Sequence, residues 1–257
     1  HVAPMFHAAD LLATAFTLVG GCHAYLAHFT GEGALGAIEE SQSTVTMMAP
    51  TMIIMTLQVP NFADYDLSRF RLLFYGSSPM DAVWVRRAIE QFRGAGLQQG
   101  YGLTETAPIL TTLDPDDHRA AIAHNREDLL RAAGRAVAGV ELSIRDDDDR
   151  EMPPGEVGEL VVRGPNVAPG YFNRPDETEQ AFRSGWFHTG DLGRIDANGI
   201  LTLVDRKKDM VVTGGENVYT SEVEAVLYRH PDVLEVAVIG VPDEKYGEAL
   251  FAVVVPV

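Results

Sequence analysis

LLFYGSSPMDAVWVRRAIEQF, residues 72–92, predicts a strand, a turn and a helix in immediate succession. The apolar run Leu72–Tyr75 is followed by a Gly-Ser-Ser-Pro turn and then by a strongly helical segment, Ala82–Phe92. A second buried strand is predicted at Val45–Met48, ahead of Pro50. Short apolar strands that alternate with helices are typical of a parallel sheet covered by helices, so we expect an α/β fold for this part of the chain.

Further elements are predicted in the first 45 residues. Helices are expected at Leu11–Val19 and Leu35–Glu40, and a short strand at Ala24–Phe29. GEGALG, residues 31–36, matches the pattern G-x-G-x-x-G, but a dinucleotide site also needs an acidic residue about 20 positions further on. Residues 41–63 contain no Asp or Glu. We therefore predict an ordinary loop for GEGALG.

A different pattern begins near residue 135. ELSIRD, GELVVRG and GILTLVD are short alternating segments separated by Gly, Pro and Asp, as in an antiparallel sheet or a small barrel. The run Asp146–Asp149 between two of them is predicted to be a solvated turn. Beyond residue 207 the pattern changes again, to a helix at Ser221–Tyr228 and strands at Val233–Gly240 and Leu250–Val255. Three regions are therefore expected.

Charge, cysteine content and apolar stretches indicate which partners and which cellular location to expect. The 257 residues have a formal net charge of -17, which disfavours nucleic acid or an anionic membrane as the main partner because both require a basic face. Cys22 is the single cysteine, so no intrachain disulfide can form and a reducing, cytoplasmic location is expected. The most apolar stretches, residues 11–29 and 45–57, contain Gly and His or are too short for a bilayer, which takes about 20 apolar residues. We interpret both as core and predict no transmembrane segment.

GYGLTET, residues 100–106, is the first of four segments with groups suited to binding. Tyr101 beside two glycines offers a stacking face to a base, with close approach of the backbone. Thr104 can donate to a phosphate, and Glu105 can hold a hard cation such as Mg²⁺ through oxygen. A polar turn between a strand and a helix is an equally good interpretation of this segment alone.

GWFHTGDLG, residues 185–193, is the second segment and places Asp191 in a turn bounded by glycines. A carboxylate there can accept both hydroxyls of a ribose, although a β-hairpin turn is the structural alternative. DRKKD, residues 205–209, is the third and lies where the strand pattern stops. It is either a solvated linker or a hinge with Arg206 near a sugar or a phosphate.

TGGENVYTSEVE, residues 213–224, is the fourth segment and consists of a Gly-Gly loop before a helix. Ser221 and Glu224 fit the capping-box pattern at the start of that helix, which is a structural role. Gly214 and Gly215 are alternatively suited to letting a narrow ligand pass along the backbone.

Two other patterns are rejected. Cys22, His23 and His28 could suggest a metal, but no second pair of such ligands lies nearby, so core or surface histidines are the better interpretation. GSSP, residues 76–79, is not a nucleophile elbow, which requires G-x-S-x-G.

With these segments in this order, the chain resembles the acyl- and aryl-CoA synthetases, an adenylating family that also includes firefly luciferase and the adenylation domains of peptide synthetases. The likeness spans essentially all 257 residues. It rests on PMFH (4–7), GSSP (76–79), QGYGLTET (99–106), GELVVRGPNVAPGYFNRP (158–175), GWFHTGDLG (185–193), DRKKDMVVTGGENVY (205–219) and VAVIGVPDEKYGE (236–248). The chain departs from the family pattern at Ser77-Ser78, where Gly-Ala is usual, and at Asp10, where glycine is commoner.

The resemblance implies a reaction in two steps. ATP and a carboxylic acid first form an acyl-adenylate and pyrophosphate, with Mg²⁺ bound. The small C-terminal domain then rotates, and the thiol of coenzyme A attacks the adenylate. Residues at positions that match the family's nucleotide- and CoA-binding motifs are Gly76, Ser77, Ser78, Gly100, Tyr101, Gly102, Thr104, Asp191, Arg206, Gly214 and Gly215.

Individual roles follow from the same resemblance. Gly76 and Ser77 are expected along the adenine, with Tyr101 stacked on it. Thr104 is expected to contact phosphate and Glu105 to hold Mg²⁺.

Both Asp191 and Arg206 are expected to hold the ribose by this resemblance. Lys208 matches the hinge about which the small domain turns, and His7 matches a position near the reacting carboxylate. Gly214 and Gly215 are expected to line the tunnel for pantetheine. His7, Thr104, Glu105 and Lys208 are thus the candidate catalytic residues.

The resemblance also divides the chain. Residues 1–134 are expected to be part of a large adenylating domain, as a partial doubly wound α/β subdomain. Residues 135–204 are expected to form a small antiparallel β-barrel subdomain and residues 205–209 the hinge. Residues 210–257 would begin a small α+β C-terminal domain.

Two segments that such an enzyme needs are not found in residues 1–257. The family's phosphate loop is expected before His1, and its adenylating lysine after Val257. The three lysines present are Lys207 and Lys208, which belong to the hinge, and Lys245, which is predicted to lie in a surface loop. We therefore expect residues 1–257 alone to adenylate a carboxylate poorly.

The sequence predicts the carboxylic acid substrate less specifically than it predicts the reaction. Amino-acid-activating relatives have Phe-Asp where this chain has Phe6-His7, which argues for a plain carboxylic acid. The apolar residues Met47, Met48, Met52, Ile53 and Met55 suggest a fatty or other hydrophobic acid, although an ordinary core explains such a cluster better. The leading prediction is a carboxylate–CoA ligase. The alternatives are an enzyme that loads an acyl carrier protein and a non-catalytic nucleotide-binding remnant; the sequence gives no indication of oligomeric state.

Overall fold

The computed structural model describes residues 1–3 and 11–257, with the backbone alone at residues 11 and 12. These residues divide into two compact units. The first is His1–Gly102 with Pro108–Gly134, and the second is Leu103–Ala107 with Arg135–Val257. The four-part domain division predicted above stays a prediction.

The first unit is a mixed α/β layer. Its elements are α1 (Leu11–Leu18), α2 (Gly31–Ser41), β1 (Val45–Met48), α3 (Pro50–Leu57), a 3-10 turn (Phe62–Asp64), β2 (Leu72–Gly76), α4 (Ala82–Gln91), β3 (Gly96–Tyr101), β4 (Thr111–Leu113), α5 (Pro115–Ala123) and α6 (Glu127–Leu130). β1 pairs in parallel with β2, β2 in parallel with β3, and β3 antiparallel with β4. The predicted strands at 45–48 and 72–75 and the predicted helices at 11–19, 35–40 and 82–92 are therefore confirmed.

Burial explains why the strand–turn–helix segment forms as predicted. Leu73 and Tyr75 on β2 and Val85 and Ala88 on α4 are at most 1% exposed, so the strand and one face of the helix share the core. The Asp81 carboxylate accepts a hydrogen bond from the Val83 N–H and caps α4.

Two local predictions in this unit are wrong. GEGALG is not a loop but the beginning of α2, because the Thr30 hydroxyl accepts from the Gly33 N–H and caps the helix. Ala34, Leu35 and Ile38 follow at helical spacing and are buried in the core, which outweighs the low helix propensity of glycine. Residues 24–29 form no strand; among the described residues, their backbone pairs with that of His1, through Ala24 and Leu26.

The first part of the second unit ends at residue 206 and contains an antiparallel sheet. The elements of this part, not all of which belong to the sheet, are a 3-10 turn (Thr104–Thr106), β5 (Arg135–Ala136), β6 (Glu141–Arg145), β7 (Gly158–Arg163), α7 (Pro175–Ala181), β8 (Phe182–Arg183), β9 (Trp186–Ile195) and β10 (Leu201–Arg206). The strands run in the order β10-β9-β7-β6, all antiparallel, and β8 pairs with β9. The order does not close on itself, so the predicted small barrel is a half-barrel. The Asp146–Asp149 run is a turn after β6, as predicted.

The rest of the second unit is α+β. It consists of β11 (Val211–Thr213), β12 (Glu216–Val218), α8 (Thr220–Leu227), β13 (Val233–Asp243) and β14 (Gly247–Pro256), and the strands run in the order β12-β11-β14-β13. The predicted helix and strands of this region are confirmed, and with them the predicted fold class of an α/β part, an antiparallel barrel-like part and an α+β part. No helix within residues 11–257 combines the length and the apolar character needed to cross a membrane.

Candidate functional site

The predicted adenine-binding residues of the first unit lie where β2 and β3 end. Gly76 is the last residue of β2 and pairs with Gly100 on β3. A Cβ on Gly76 would lie 2.3 Å from the Gly100 carbonyl oxygen, and one on Gly100 would lie 2.5 Å from the Phe74 ring. A Cβ on Gly102 would lie 1.7 Å from the Pro108 carbonyl oxygen. Packing alone therefore requires glycine at 76, 100 and 102, and their role toward a nucleotide stays a prediction.

Ser77 and Ser78 follow directly after β2 and are exposed. Ser77 has φ +74°, a left-handed conformation that costs a residue with a Cβ about 1–2 kcal/mol. A strained, exposed residue at a strand end is typical of a binding site.

The turn at 104–106 is held by the segment that follows β7. The Asn166 amide donates to the Thr106 carbonyl oxygen at 2.7 Å, and the Ala168 N–H donates to the Glu105 carbonyl oxygen at 2.7 Å. The Tyr171 hydroxyl donates to Glu105 Oε1 at 2.8 Å. Burial and this bond raise the pKa of Tyr171 to about 12, so the hydroxyl keeps its proton and remains a donor. Thr104 is exposed.

Glu105 suits a Mg²⁺ ion that is bound mainly by phosphate and water. Tyr171 fixes one carboxylate oxygen, and the described contacts give the other, Oε2, no hydrogen bond. The described residues contain no group of three or more His, Cys, Asp or Glu side chains that could hold a metal. Mg²⁺ typically takes one or two carboxylates together with waters and substrate phosphates, so a single fixed carboxylate fits it.

Asp191 is not in a turn, as the sequence suggested, but inside strand β9. It pairs with Arg206 on β10, and the Arg206 Nε lies 3.7 Å from Asp191 Oδ1. The Asp191 side chain is 13% exposed and that of Arg206 63%. The two predicted ribose-binding residues are therefore neighbours on adjacent strands.

An irregularity in the β7–β9 ladder explains the glycine beside Asp191. Glu159 pairs with Leu192 and Val161 with His188, so residues 189–191 face Leu160 alone. Gly190, with φ +73°, allows this bulge. The TGD pattern thus forms a bulge against a neighbouring strand, which the sequence cannot distinguish from a hairpin turn.

Two ionisable residues close to Asp191 were missed in the sequence, Glu159 and His188, and a third, Lys207, was assigned only to the hinge. Glu159 and His188 are each 7% exposed, and they line an open cleft of about 550 Å³ between α7 and β9. Burial, and secondarily the Arg183 charge, lower the pKa of His188, so it is neutral at pH 7. Glu159 is hard to detect because GELVVRG shows only a strand, with one acid in it.

The two lysines of the predicted hinge differ in their contacts. Lys207 Nζ lies 2.8 Å from Asp147 Oδ1 and 3.3 Å from Glu159 Oε2. The Asp147 bond in particular raises the pKa of Lys207. Lys208, which matches the hinge position, is exposed.

The Gly-Gly loop is the turn between β11 and β12. Gly214 and Gly215 have φ +60° and +89°, so glycine is favoured there by the turn itself. The predicted capping box is wrong: the Ser221 hydroxyl donates to the Val204 carbonyl oxygen, and the Glu224 carboxylate accepts from the Val238 N–H.

The acceptor at the start of α8 comes instead from Asp205. Its Oδ2 accepts from the Thr220 N–H at 2.6 Å and from the Thr220 hydroxyl at 2.9 Å. A carboxylate distant in sequence thus replaces the local cap.

The remaining predicted residues contribute less. His7 lies outside the described residues. His23 forms a hydrogen bond with His1 at 2.8 Å, and Cys22 and His28 are exposed.

The apolar set around α3 is likewise divided. Met48 and Ile53 are buried in the core, whereas Met55 is 46% exposed. Their role in substrate binding stays a prediction.

Comparison with known proteins defines the family. The model of the AMP-binding enzymes matches residues 1–172, and that of the AMP-binding enzyme C-terminal domain matches residues 222–257. The chain belongs to the AMP-binding enzyme family.

Relatives of known activity cover nearly all of the chain. A medium/long-chain-fatty-acid–CoA ligase of Mycobacterium tuberculosis is 41% identical over 98% of the chain and 43% of its own length. A feruloyl-CoA synthase of an Amycolatopsis species is 40% identical over 99% of the chain and 50% of its own length. Among solved structures, the amide bond synthetase McbA of Marinactinospora thermotolerans is 39% identical with a TM-score of 0.91, over 100% of this chain and 51% of that one. The chain thus spans about half the length of these proteins.

Proposed function

We propose that residues 1–257 belong to an ATP-dependent carboxylate–CoA ligase that activates a fatty or other hydrophobic acid. The main support is the 41% identity to a fatty-acid–CoA ligase across nearly the whole chain. The aligned part of the chain includes the motifs at residues 76–79, 99–106, 185–193 and 205–219, on which the predicted reaction depends. A carboxylate has a poor leaving group, and its conversion to an acyl-adenylate provides a good one.

The proposed reaction consists of two nucleophilic displacements. A carboxylate oxygen attacks the α-phosphorus of ATP, which forms acyl-AMP and releases pyrophosphate. The CoA sulfur then attacks the acyl carbon, which forms the thioester and releases AMP. When bound, Mg²⁺ neutralises the charge that develops on the phosphates.

Side chains of the second unit have separate roles in this proposal. Glu105, oriented by Tyr171, offers one carboxylate oxygen to Mg²⁺, and the exposed Thr104 hydroxyl donates to a phosphate oxygen. Asp191 accepts from the ribose hydroxyls, and the exposed Arg206 donates to the sugar or phosphate. Lys208 serves as the hinge position.

Residues of the first unit and of the Gly-Gly loop complete the proposed contacts. Gly76, Ser77, Ser78, Gly100, Tyr101 and Gly102 contact the adenosine, and Gly214 and Gly215 contact the pantetheine of CoA. His7 remains a candidate for the reacting carboxylate by resemblance. The single cysteine and the need for ATP and CoA support a cytoplasmic location.

The acceptor is the part of the proposal that most needs a test. An acyl-adenylate also reacts with a carrier-protein thiol or, as the name of the amide bond synthetase indicates for that relative, with an amine. The likeness at a TM-score of 0.91 makes an amine acceptor the specific alternative. A nucleotide-binding remnant without catalysis is the third possibility.

The test uses the full-length protein that contains residues 1–257, with ATP, Mg²⁺ and fatty acids of increasing chain length beside ferulic acid. Acyl-CoA formed together with AMP and pyrophosphate supports the ligase and identifies the acid. Adenylate that is trapped by hydroxylamine but not by CoA contradicts a CoA acceptor and points to a carrier protein or an amine. AMP binding without adenylate formation for any acid contradicts the enzyme.

An Asp191→Asn variant connects the activity to this site. Its KM for ATP is expected to rise at least about tenfold, since a hydrogen bond to a charged group contributes roughly 1.5–3 kcal/mol. Glu141→Gln is the matched control, because Glu141 pairs with Arg163 on the exposed surface of β6 and β7.

A further inference from the structure

Glu159 is a buried carboxylate that the proposed reaction does not use. It is the single Asp or Glu side chain of the described residues in the buried class, at 7% exposed. It lies on β7 directly before Leu160, Val161 and Val162, which are fully buried. Removing a carboxylate from water is costly, and an ion pair offsets that cost only in part. Its position therefore suggests a role other than stability.

Glu159 contacts four residues, two of which adjoin the proposed ribose pair. Its Oε1 accepts from the Gly190 N–H at 3.3 Å. Its Oε2 lies 3.3 Å from Lys207 Nζ, 3.5 Å from His188 Nδ1 and 3.7 Å from Arg183. The Lys207 N–H donates to the Gly190 carbonyl oxygen at 2.8 Å. Gly190 is thus held on both sides, by Glu159 directly and by Lys207, which itself pairs with Glu159.

Gly190 and Lys207 are the chain neighbours of the proposed ribose pair. Gly190 precedes Asp191 in the β9 bulge, and Lys207 follows Arg206 at the end of β10. Gly190 has φ +73° and no side chain, so nothing of its own fixes the direction of the following peptide. A carboxylate that binds both neighbours restricts both members of the pair.

We infer that Glu159 is a positioning residue, which holds Asp191 and Arg206 where the hydroxyls of a bound ribose meet the Asp191 carboxylate. The inference rests on the proposed function insofar as Asp191 is taken to bind ribose. It adds a residue that acts behind the site without touching the nucleotide.

The test compares AMP with 2′-deoxy-AMP, which lacks one hydroxyl. Equilibrium dissociation constants for both are measured by calorimetry with the full-length protein, which requires neither the acid nor CoA. Wild type is expected to bind AMP at least about tenfold more tightly, since a hydrogen bond to a charged group typically contributes that much. Asp191→Asn is expected to bring the ratio of the two constants close to one.

Glu159→Gln keeps the volume and one acceptor oxygen but removes the charge that attracts Lys207 and Arg183. The ratio is expected to fall at least about threefold from its wild-type value, because the misplaced Asp191 no longer meets the hydroxyl well. A purely structural role would lower both affinities equally and leave the ratio unchanged. Glu141→Gln on neighbouring β6, with a side chain 60% exposed, is the matched control and should keep the wild-type ratio.

The inference is overturned if folded Glu159→Gln keeps the wild-type ratio, or if wild type does not distinguish the two nucleotides. Should Glu159→Gln fail to fold, Lys207→Met replaces it: this variant removes the ammonium and keeps the Gly190 contact, and an unchanged ratio overturns the inference equally. AMP binding without thioester formation would contradict the ligase but not this inference. Thioester formation with an unaffected ratio would contradict this inference alone.

Discussion

Asp205 provides the clearest single test of how the second unit is held together. Its carboxylate accepts hydrogen bonds from the Thr220 N–H at 2.6 Å and from the Thr220 hydroxyl at 2.9 Å. Tyr219, which precedes α8, makes no side-chain cap. Thr220 is 6% exposed. Asp205→Ala would leave a buried N–H and a buried hydroxyl without their acceptor, and it would remove a negative charge from the positive end of a helix.

The expected cost is about 1.5 kcal/mol. Loss of an N-cap typically costs about 0.5–2 kcal/mol, and the upper part of that range applies because both donors are buried. A cost of about 1.4 kcal/mol corresponds to a tenfold change in the equilibrium for local opening of α8. Asp205→Asn keeps an acceptor oxygen and is expected to cost less than half as much.

Hydrogen exchange of the peptide that covers residues 219–228 measures this opening directly, without assuming that two units unfold in one step. The α8 amides should exchange roughly tenfold faster in Asp205→Ala, and those of β9 should be unchanged. Asp209→Ala is the matched control, since Asp209 is an exposed acid of the same charge run. Equal exchange of α8 in Asp205→Ala and wild type, or an equal effect of Asp209→Ala, would refute the reasoning.

Three further predictions concern other parts of the chain. Ser77→Gly is expected to stabilise the first unit by up to about 1 kcal/mol relative to Ser78→Gly in urea unfolding, because Ser77 alone of the two has a positive φ. Tyr171→Phe should raise the Mg²⁺ concentration needed for half-maximal ATP binding roughly tenfold or more, because the Glu105 carboxylate loses its orienting donor; an unchanged Mg²⁺ titration counts against that role. Burial lowers the pKa of His118 from 6.5, so the unfolded chain binds this proton first and the first unit should lose stability as pH falls below 6.5. His118→Gln should flatten that pH dependence.

The elements that were predicted correctly are those whose signal is local. β2 and α4 are separated by a Gly-Ser-Ser-Pro turn, and the period of their apolar residues changes at that turn, so a single stretch specifies both. The half-barrel segments ELSIRD, GELVVRG and GILTLVD are likewise short alternating segments bounded by Gly, Pro or Asp, so their signal is also local. The motifs that resemble a known family added the order of the parts, which periodicity alone does not determine.

The errors occur where a distant residue decides the local structure. Ser221 and Glu224 have the spacing of a capping box. The first N–H of α8, however, donates to the Asp205 carboxylate, and the side chains of Ser221 and Glu224 form hydrogen bonds with other parts of the chain. Asp191 has the neighbours of a hairpin turn, but pairing of β9 with β7 converts the segment into a bulge. Each of these partners lies at least 14 residues away along the chain, so the local sequence does not reveal it.

Some residues at or beside the candidate site depart from local conformational and burial rules. Ser77 and Ala107, with φ +74° and +51°, adopt a left-handed conformation that a Cβ disfavours. Ser77 lies within the motif GSSP, and Ala107 directly follows QGYGLTET. Glu159 is buried where apolar residues continue the strand. Departures of this kind cost stability, and they persist in folded proteins mainly where binding or catalysis requires the geometry. Because these departures are seen in the structure itself, they support the roles proposed for Ser77 and for Glu159 by an argument that does not depend on resemblance in sequence.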